Sequence, residues 1–93
     1  MKPLVLTHHA LNERIRLYGL DMTDVERAVR APEWTEPDHK PGVERRFGLT
    51  ADGTRIRRVA CVEEKDHIRV LSAFPDRNAK RRHDRTDDPR SGG

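Results

Sequence analysis

Cysteine and aromatic residues are scarce in this chain of 93 residues. There is one cysteine, Cys61, and aromatic residues make up 4% of the sequence. A single cysteine excludes an intramolecular disulfide and a cysteine-based zinc cluster, and its place in an apolar run predicts a small buried thiol. We therefore expect an intracellular, reducing environment and a cytoplasmic location.

Long apolar runs and metal-ligand spacings are also missing. No stretch approaches the ~20 apolar residues needed to cross a bilayer, and Met1 to Leu6 is too short for a signal sequence, so we expect no membrane contact. The histidines show neither HxxxH nor HExxH spacing, and no Gly-rich phosphate loop is present. The sequence therefore predicts no metal site and no cofactor.

Arginine, in contrast, is abundant. The chain has 19 basic and 16 acidic residues with a net charge of +3, and 15 of the basic residues are Arg. Arginine binds phosphate through two parallel hydrogen bonds, which makes it the preferred residue for nucleic-acid contacts. Because many arginines also fit an ordinary solvated surface, the argument depends on where they lie in the fold.

The first third of the chain predicts two helices. Thr7 can cap a helix over residues 8–18, and Gly19 provides a left-handed stop. A capping box of Thr23 and Glu26 predicts a second helix over residues 23–30. After it, residues 32–42 are proline-rich and predict an exposed loop, in which Trp34 packs against the edge of the core.

The central part predicts a β-hairpin. Residues 43–50 and 54–62 alternate around Asp52-Gly53, which favours a two-residue turn with Leu49 opposite Ile56 and Phe47 opposite Arg58. One face then carries most of the large apolar residues, so we expect it to face the helices; Arg45 and Arg58 would lie at its rim. The opposite, exposed face would be basic and would show Glu44, Arg46, Arg55 and Arg57.

A third strand is predicted over residues 67–74. With Ile68 and Val70 toward the helices, His67 and Arg69 would join the basic face, provided that the pairing is irregular near residues 63–66. We thus expect an α+β domain over residues 1–75, with two N-terminal helices on one face of a small antiparallel sheet of at least three strands. Residues 76–93 read as a basic, largely disordered tail.

Several short segments allow a comparison with known families. They are His9-Ala10 with Arg14, Tyr18-Gly19-Leu20, Glu44-Arg45-Arg46-Phe47-Gly48, Ile56-Arg57-Arg58-Val59, and Ile68 to Pro75 with the basic stretch behind it. In these segments the chain resembles the small RelE-like and BrnT-like toxins and a related family of small domains of unknown function, within the barnase, EndoU, colicin and RelE group of ribonucleases. The resemblance covers most of residues 7–83. It implies a RelE/BrnT-like fold, endoribonuclease activity, and an acidic antitoxin or other neutralising partner protein.

Metal-free RNA cleavage requires a base, an acid and cations that hold the charge on phosphorus, and His and Arg residues can supply all three. The candidate catalytic residues are His9, Arg57, Arg69 and His67. The candidate nucleic-acid-binding residues are Arg14, Arg46, Arg55, Lys80, Arg81 and Arg82. His9 has an alternative structural role at a helix start, and the whole chain has an alternative function as a non-catalytic nucleic-acid-binding or protein-adaptor module on the same fold.

Overall fold

The computed structural model describes residues 1–77, apart from the side chains of Glu13 and Arg14. Five strands form one sheet in the order β1-β5-β4-β3-β2. Strand β1 is parallel to β5, whereas the other neighbouring strands are antiparallel. Along the chain, the elements are β1 (Leu4–Leu6), α1 (His9–Ile15 continued by Arg16–Tyr18), α2 (Met22–Arg30), β2 (Trp34–Pro37), β3 (Glu44–Leu49), β4 (Ile56–Glu63) and β5 (Ile68–Pro75).

The α+β class is confirmed, but two finer expectations are wrong. The sheet is mixed rather than antiparallel, and a strand precedes the helices. The short run Leu4–Leu6 forms a strand because β5 offers it a partner, with Leu4 opposite Ile68 and Leu6 opposite Val70. Three residues carry too little local pattern to indicate a strand without knowledge of that partner.

Helix α1 begins and ends where the sequence indicated. The Thr7 hydroxyl accepts a hydrogen bond from the Ala10 N–H at 3.1 Å, which satisfies a free donor of the first turn. Residues His9–Ile15 have the wider π-helical winding before an α-helical last turn. Gly19 ends the helix with φ of 62°, a conformation that glycine adopts without steric penalty.

Helix α2 is capped by a different residue from the one predicted. The Asp21 carboxylate accepts a hydrogen bond from the Thr23 N–H at 2.7 Å, so the capping box of Thr23 and Glu26 is wrong. Glu26 instead pairs with Arg30 one turn later, at 2.8 Å. An aspartate just ahead of the helix is as good a cap as threonine, and it moves the start of the helix to Met22.

The two faces of the sheet differ in their cover. On the covered face, buried residues of both helices, of the link between them and of β4 and β5 form one apolar core: Ala10, Ile15, Leu20, Val25, Ala28, Val29, Val59, Cys61, Ile68, Val70 and Ala73. On the open face, Phe47 and Ile56 form a smaller cluster with Trp34 and Leu49. Trp34 stacks on Phe47 with ring centroids 4.7 Å apart.

The hairpin register is confirmed, but its faces are reversed. Leu49 is opposite Ile56 and Phe47 is opposite Arg58, as predicted. However, Gly48 and Val59 belong to the covered face, and Phe47 belongs to the open face. Phe47 is nevertheless fully buried, because Trp34 lies on a strand that was expected to be a loop.

Gly48 brings α2 close to the sheet. A Cβ atom added at Gly48 would lie 2.6 Å from Cα and 2.8 Å from Cβ of Ala28. These distances are shorter than van der Waals contact, so any larger residue would push the helix away from β3. The pair therefore positions α2 over this part of the sheet.

An irregularity in the pairing of β5 with β4 determines which residues in the second half of β5 lie on the open face. Ile68 and Val70 belong to the core, as predicted, but the register shifts at Ala60/Cys61 rather than near residues 63–66. Cys61 pairs with Val70 and Ala60 with Ser72, so Leu71 is an extra residue. This bulge directs Leu71 and Ser72 toward the open face and returns Ala73 to the core.

Within the described residues, no helix is long and apolar enough to cross a membrane. The predicted tail, including Lys80, Arg81 and Arg82, falls almost wholly in residues 78–93, which lie outside the part of the chain that the structure describes.

Candidate nucleic-acid interface

The predicted basic face does not exist as one surface. Arg57 is opposite Pro75 and Gly48 and belongs to the covered face, whereas Arg69 is opposite Val62 and belongs to the open face. Arg69 is opposite Val62, five residues along β4 from Arg57, which is roughly 17 Å. The expectation that Arg57 and Arg69 lie on one face is therefore wrong, because it depended on the reversed choice of faces.

Arg46 lies within the fold and binds protein groups. Its Nε donates to Glu44 at 2.7 Å, its Nη2 to Glu63 at 3.0 Å and its Nη1 to the Val29 carbonyl oxygen at 3.0 Å. Burial lowers the pKa of the guanidinium, but the hydrogen bonds to Glu44 and Glu63 outweigh this effect and raise the pKa above its ordinary value. With every nitrogen of the group engaged, Arg46 holds the C-terminal end of α2 to β3 and β4.

Arg57 has a very different environment. Among the described residues, its only hydrogen bond runs from Nη1 to the Ile56 carbonyl oxygen at 3.5 Å, and its buried Nε has no acceptor. No carboxylate of the described residues forms an ion pair with it. The other strand arginines are each paired: Arg45 with Asp38, Arg46 with Glu44 and Glu63, Arg58 with Asp76, and Arg69 with Glu64.

Arg57 lines a cleft at the end of the sheet where β4 begins and β5 ends. The cleft has a volume of about 590 Å³, and we call it the arginine cleft. Arg55 and Arg57, two of the candidates from the sequence analysis, both line it. Its lining residues are Tyr18, Leu20, Thr54, Arg55, Ile56, Arg57, Pro75, Asp76 and Arg77.

A second depression lies on the open face. Its volume is about 270 Å³, and we call it the histidine groove because His9 and His39 both line it. His9 comes from the first turn of α1, while His39 comes from the loop between β2 and β3. The other lining residues are Asp38, Lys40, Val43, Arg45, Arg58, Ala60, Leu71, Ser72 and Phe74.

Asp38 organises one wall of the histidine groove. It accepts hydrogen bonds from the Lys40 N–H at 3.0 Å and from Arg45 Nε at 2.9 Å. The hydrogen bond from Lys40 has the largest effect and that from Arg45 the next largest, and they lower the pKa of Asp38 to about 2. Its other contact is His39 Nδ1, at 3.2 Å, so one carboxylate orients both an arginine and a histidine.

Arg58 forms part of the groove floor. Its guanidinium carbon lies 4.9 Å from the centre of the Phe74 ring, and its Nη1 lies 3.5 Å from an Asp76 carboxylate oxygen. The ring and the carboxylate restrict the side chain, which keeps its charge beside the groove. The Phe74 ring also contacts Tyr18, with ring centroids 6.2 Å apart, so one aromatic pair separates the groove from the arginine cleft.

The remaining candidates lie elsewhere. His67 is 2.8 Å from Asp66 in the turn between β4 and β5, and this contact lowers the pKa of Asp66. Arg69 pairs with Glu64 near the same turn, at 3.5 Å. Arg14 lies on α1, but its side chain is outside the described part of the structure. His67 and Arg69 line neither the histidine groove nor the arginine cleft.

His39, Lys40, Arg45 and Arg58 were not candidates from the sequence. The register placed Arg45 and Arg58 correctly on the same face as Phe47, but that face was assigned to the core. The proline-rich loop gave no pattern that would bring His39 to the sheet. The available signal was the charge itself, because two arginines on a supposed core face indicate that the face is open.

Comparison with known proteins gives no relative: no family model, no curated protein and no solved structure matches the chain. Over the described residues, no cluster of three or more His, Cys, Asp or Glu side chains could hold a metal ion. Burial raises the pKa of the Cys61 thiol, in agreement with the buried thiol that the sequence indicated.

Proposed function

We propose that the protein is a metal-independent endoribonuclease of toxin type with a RelE/BrnT-like fold, and that RNA is cleaved in the histidine groove. One observation carries this proposal: His9 and His39 line the same groove as Arg45 and Arg58. An acid, a base and cations are the three components that RNA cleavage without a metal ion requires.

The chemistry would follow from these side chains. One histidine accepts the proton of the ribose 2′-hydroxyl as its oxygen attacks phosphorus, and the other donates a proton to the departing 5′-oxygen. Histidine suits both roles because its ordinary pKa lies near neutral pH. Arg45 and Arg58 would stabilise the additional negative charge on the phosphoryl oxygens. The products would be a 2′,3′-cyclic phosphate and a 5′-hydroxyl end.

The open face also suggests how such an activity would be restrained. Lys40, Arg45, Arg58 and Arg69 all lie on or beside it. An acidic partner protein in the cytoplasm could cover this face and exclude RNA by binding the same cations. The proposed antitoxin would therefore compete with RNA rather than act at a distance.

The test compares two adjacent histidines. His9 lines the groove, whereas His8 contacts Asn12, with Nδ1 and Nδ2 2.6 Å apart, and does not line the groove. We expect the wild-type protein to cleave a single-stranded RNA oligonucleotide in the presence of EDTA. His9→Ala should reduce the rate by about 100-fold or more, and His39→Ala should do likewise. His8→Ala is the matched control and should cleave within about twofold of wild type.

The products should be examined by mass spectrometry for the cyclic phosphate. Expression of wild type and His9→Ala in a bacterial host, with total RNA analysed after induction, extends the test to cells. Equal cleavage by His9→Ala and wild type would remove the groove from consideration, and intact RNA with wild type would reject the nuclease.

A second candidate, a non-catalytic nucleic-acid-binding module, is favoured by the ion pairs in the groove. Arg45 and Arg58 each face a carboxylate, Asp38 and Asp76 respectively. A phosphate must compete with these acids, so binding would be weak and strongly dependent on salt. Saturable binding of the same oligonucleotide without any cleavage would identify this function.

A further inference from the structure

Among the arginines of the described strands, Arg57 is the one whose guanidinium forms no ion pair with a carboxylate of the described residues. Arg46, at the other end of the covered face, uses all three nitrogens in hydrogen bonds of 2.7 to 3.0 Å. Arg57 has one bond of 3.5 Å and a buried Nε with no acceptor among the described residues. Leaving a buried donor unsatisfied is unfavourable, so Arg57 gains from any ligand that supplies oxygen acceptors.

The acidic groups around the arginine cleft are already engaged. Asp76 pairs with Arg58 at 3.5 Å. On the other side of Arg57, Asp24 accepts a hydrogen bond from the Ala51 N–H at 3.2 Å and pairs with Arg27 at 3.6 Å. Neither carboxylate forms an ion pair with Arg57.

Asp52, the other acid beside Arg57, is held in the turn between β3 and β4. It accepts hydrogen bonds from the Thr50 hydroxyl, the Thr54 N–H and the Thr54 hydroxyl, which lower its pKa to about 2. These bonds all end on one carboxylate oxygen, Oδ1. The charge of Arg55 also lowers the pKa of Asp52, so Asp52 offsets part of the Arg55 charge. Arg57, in contrast, forms no ion pair with a carboxylate of the described residues and remains available to an anion in the arginine cleft.

The cleft offers an apolar wall as well as cations. Leu20, Ile56 and Pro75 line it together with the Tyr18 ring, while Thr54 adds a hydroxyl. Its volume of about 590 Å³ is within the range of small-molecule sites, roughly 300–1,000 Å³. A ligand that fits this lining has an anionic end and a flat, weakly polar end.

We propose that the arginine cleft binds a nucleoside 5′-phosphate, with the phosphate between Arg55 and Arg57 and the base against Tyr18. Phosphate oxygens accept two parallel hydrogen bonds from a guanidinium, and a base stacks on an exposed aromatic ring. Because Nε of Arg57 is buried, its guanidinium turns toward the cleft on binding, and the single long bond to Ile56 offers little resistance. The ligand is a free nucleotide or the 5′-terminal nucleotide of an RNA.

This site is separate from the histidine groove, which does not contain Arg55 or Arg57. The proposal therefore does not depend on RNA cleavage. A protein that cleaves no RNA can still bind a nucleotide here, and a nuclease that acts in the groove can fail to do so.

The experiment is a titration of the full-length protein followed by two-dimensional ¹H–¹⁵N NMR. The probes are inorganic phosphate, adenosine 5′-phosphate and adenosine. We expect saturable shifts of the Arg55 and Arg57 backbone amides, with the nucleotide binding more tightly than phosphate and adenosine binding weakest. Arg57→Ala should weaken nucleotide binding by about tenfold or more. Arg57→Lys, which keeps the charge but loses the planar donor pair, should recover only part of it.

Two further variants make the result independent of folding. Arg55→Ala changes an exposed side chain in a turn and should weaken binding without affecting the fold. Arg69→Ala removes an arginine from the open face and should bind the nucleotide like wild type. Equal binding by wild type and Arg57→Ala, or an equal loss in Arg69→Ala, would overturn the proposal by showing that the effect is absent or due to general charge.

A final pair of probes separates the two ligand sources. Oligonucleotides with a 5′-phosphate and a 5′-hydroxyl end differ only in the group that Arg57 would bind. Preference for the phosphorylated end, lost in Arg57→Ala, identifies an RNA terminus. Tighter binding of the free nucleotide than of either oligonucleotide identifies a small-molecule site. No preference among nucleotide, phosphate and adenosine contradicts the proposal in both forms.

Discussion

The two ends of the covered face use a half-buried arginine in opposite ways. At one end, Arg46 binds Glu44, Glu63 and the Val29 carbonyl oxygen. At the other end, Arg57 has no ion-pair partner among the described residues. Burial and residue type are similar, so the difference lies in what the surrounding elements supply.

The direction of α2 explains part of this difference. The helix runs from Asp21, near the arginine cleft, to Arg30, near Arg46, and Val29 lies in its last turn. Carbonyl groups at a helix C-terminus are free acceptors and attract cations, whereas a helix N-terminus repels them. Arg46 therefore donates a hydrogen bond to a carbonyl group at the C-terminal end of α2. Arg57 lies toward the start of the helix, where no free carbonyl group is available. A buried arginine beside a helix start is more informative about function than one beside a helix end.

The largest expected effect comes from replacing the arginine at each end of the covered face with methionine. Arg46→Met should lower the free energy of unfolding by roughly 3 kcal/mol, because it removes the donor of Glu44 and of the Val29 carbonyl oxygen and one of the two donors of Glu63. Arg57→Met should change it by about 1 kcal/mol or less, and an increase is expected if the unsatisfied Nε is unfavourable. Chemical denaturation of both variants measures the difference. Similar losses at both positions would show that Arg57 is as structural as Arg46.

A smaller effect tests the part of the sheet between these ends. Gly48→Ala should cost about 2 kcal/mol, because the new Cβ overlaps Ala28. Thermal unfolding would report the loss, and combination with Ala28→Gly should restore part of it by removing one of the two clashing groups. Full stability in Gly48→Ala alone would mean that α2 is not held closely against β3.

The cap at the cleft end of α2 has a still smaller expected contribution. Asp21→Ala should lower the free energy of unfolding by about 1 kcal/mol, since it removes the acceptor of the Thr23 N–H. Thr23→Ala is the comparison, because it retains that N–H and should have a smaller effect. If Thr23→Ala proves the more damaging of the two, the capping box predicted from the sequence is restored.

The smallest effect concerns the acid that holds Arg46. Hydrogen bonds from Arg46 and Lys2 lower the pKa of Glu63 below its ordinary value of 4.5. A lowered pKa stabilises the fold above the unfolded-state pKa, and this contribution disappears as the pH falls through the folded-state pKa. Glu63→Gln should therefore lower Tm slightly at pH 7, and the gap to wild type should close in acid. Glu33→Gln, an exposed change of the same type, controls for net charge; a gap that persists below the folded-state pKa would point to another cause.

Local chemistry made much of the fold predictable. The position of Asp52-Gly53 indicated the hairpin register, and Gly19 determined the end of α1, because each depends on neighbouring residues alone. The two-residue turn itself is wrong: the Gly53 N–H donates to the Thr50 carbonyl oxygen, and Asp52 does not have the positive φ that such a turn requires. The choice of face was not predictable in the same way. Both faces of the hairpin carry apolar residues, and Phe47 made its own face look like the core. Only the tertiary position of Trp34 shows that a second, small cluster buries Phe47.

The candidate sites were predictable in residue type but not in grouping. His9, Arg55 and Arg57 were among the sequence candidates and line one or the other depression. These residues lie in different depressions because the faces of the hairpin are reversed and because β5 has a bulge at Leu71. No turn motif in the sequence indicates that bulge. His39 reaches the groove through a loop whose path depends on the ion pair between Asp38 and Arg45.

The pairing of β1 with β5 has a consequence for how the chain is made. Thr7 bonds to Val70 and Leu71, and the latter contact joins residues 64 positions apart. Strand β5 lies inside the sheet between β1 and β4, yet it is the last strand of the described chain to leave the ribosome. Until then β1 has no partner and the histidine groove lacks Leu71, Ser72 and Phe74. Long-range pairing of this kind slows folding, and the histidine groove is complete only after translation has passed β5.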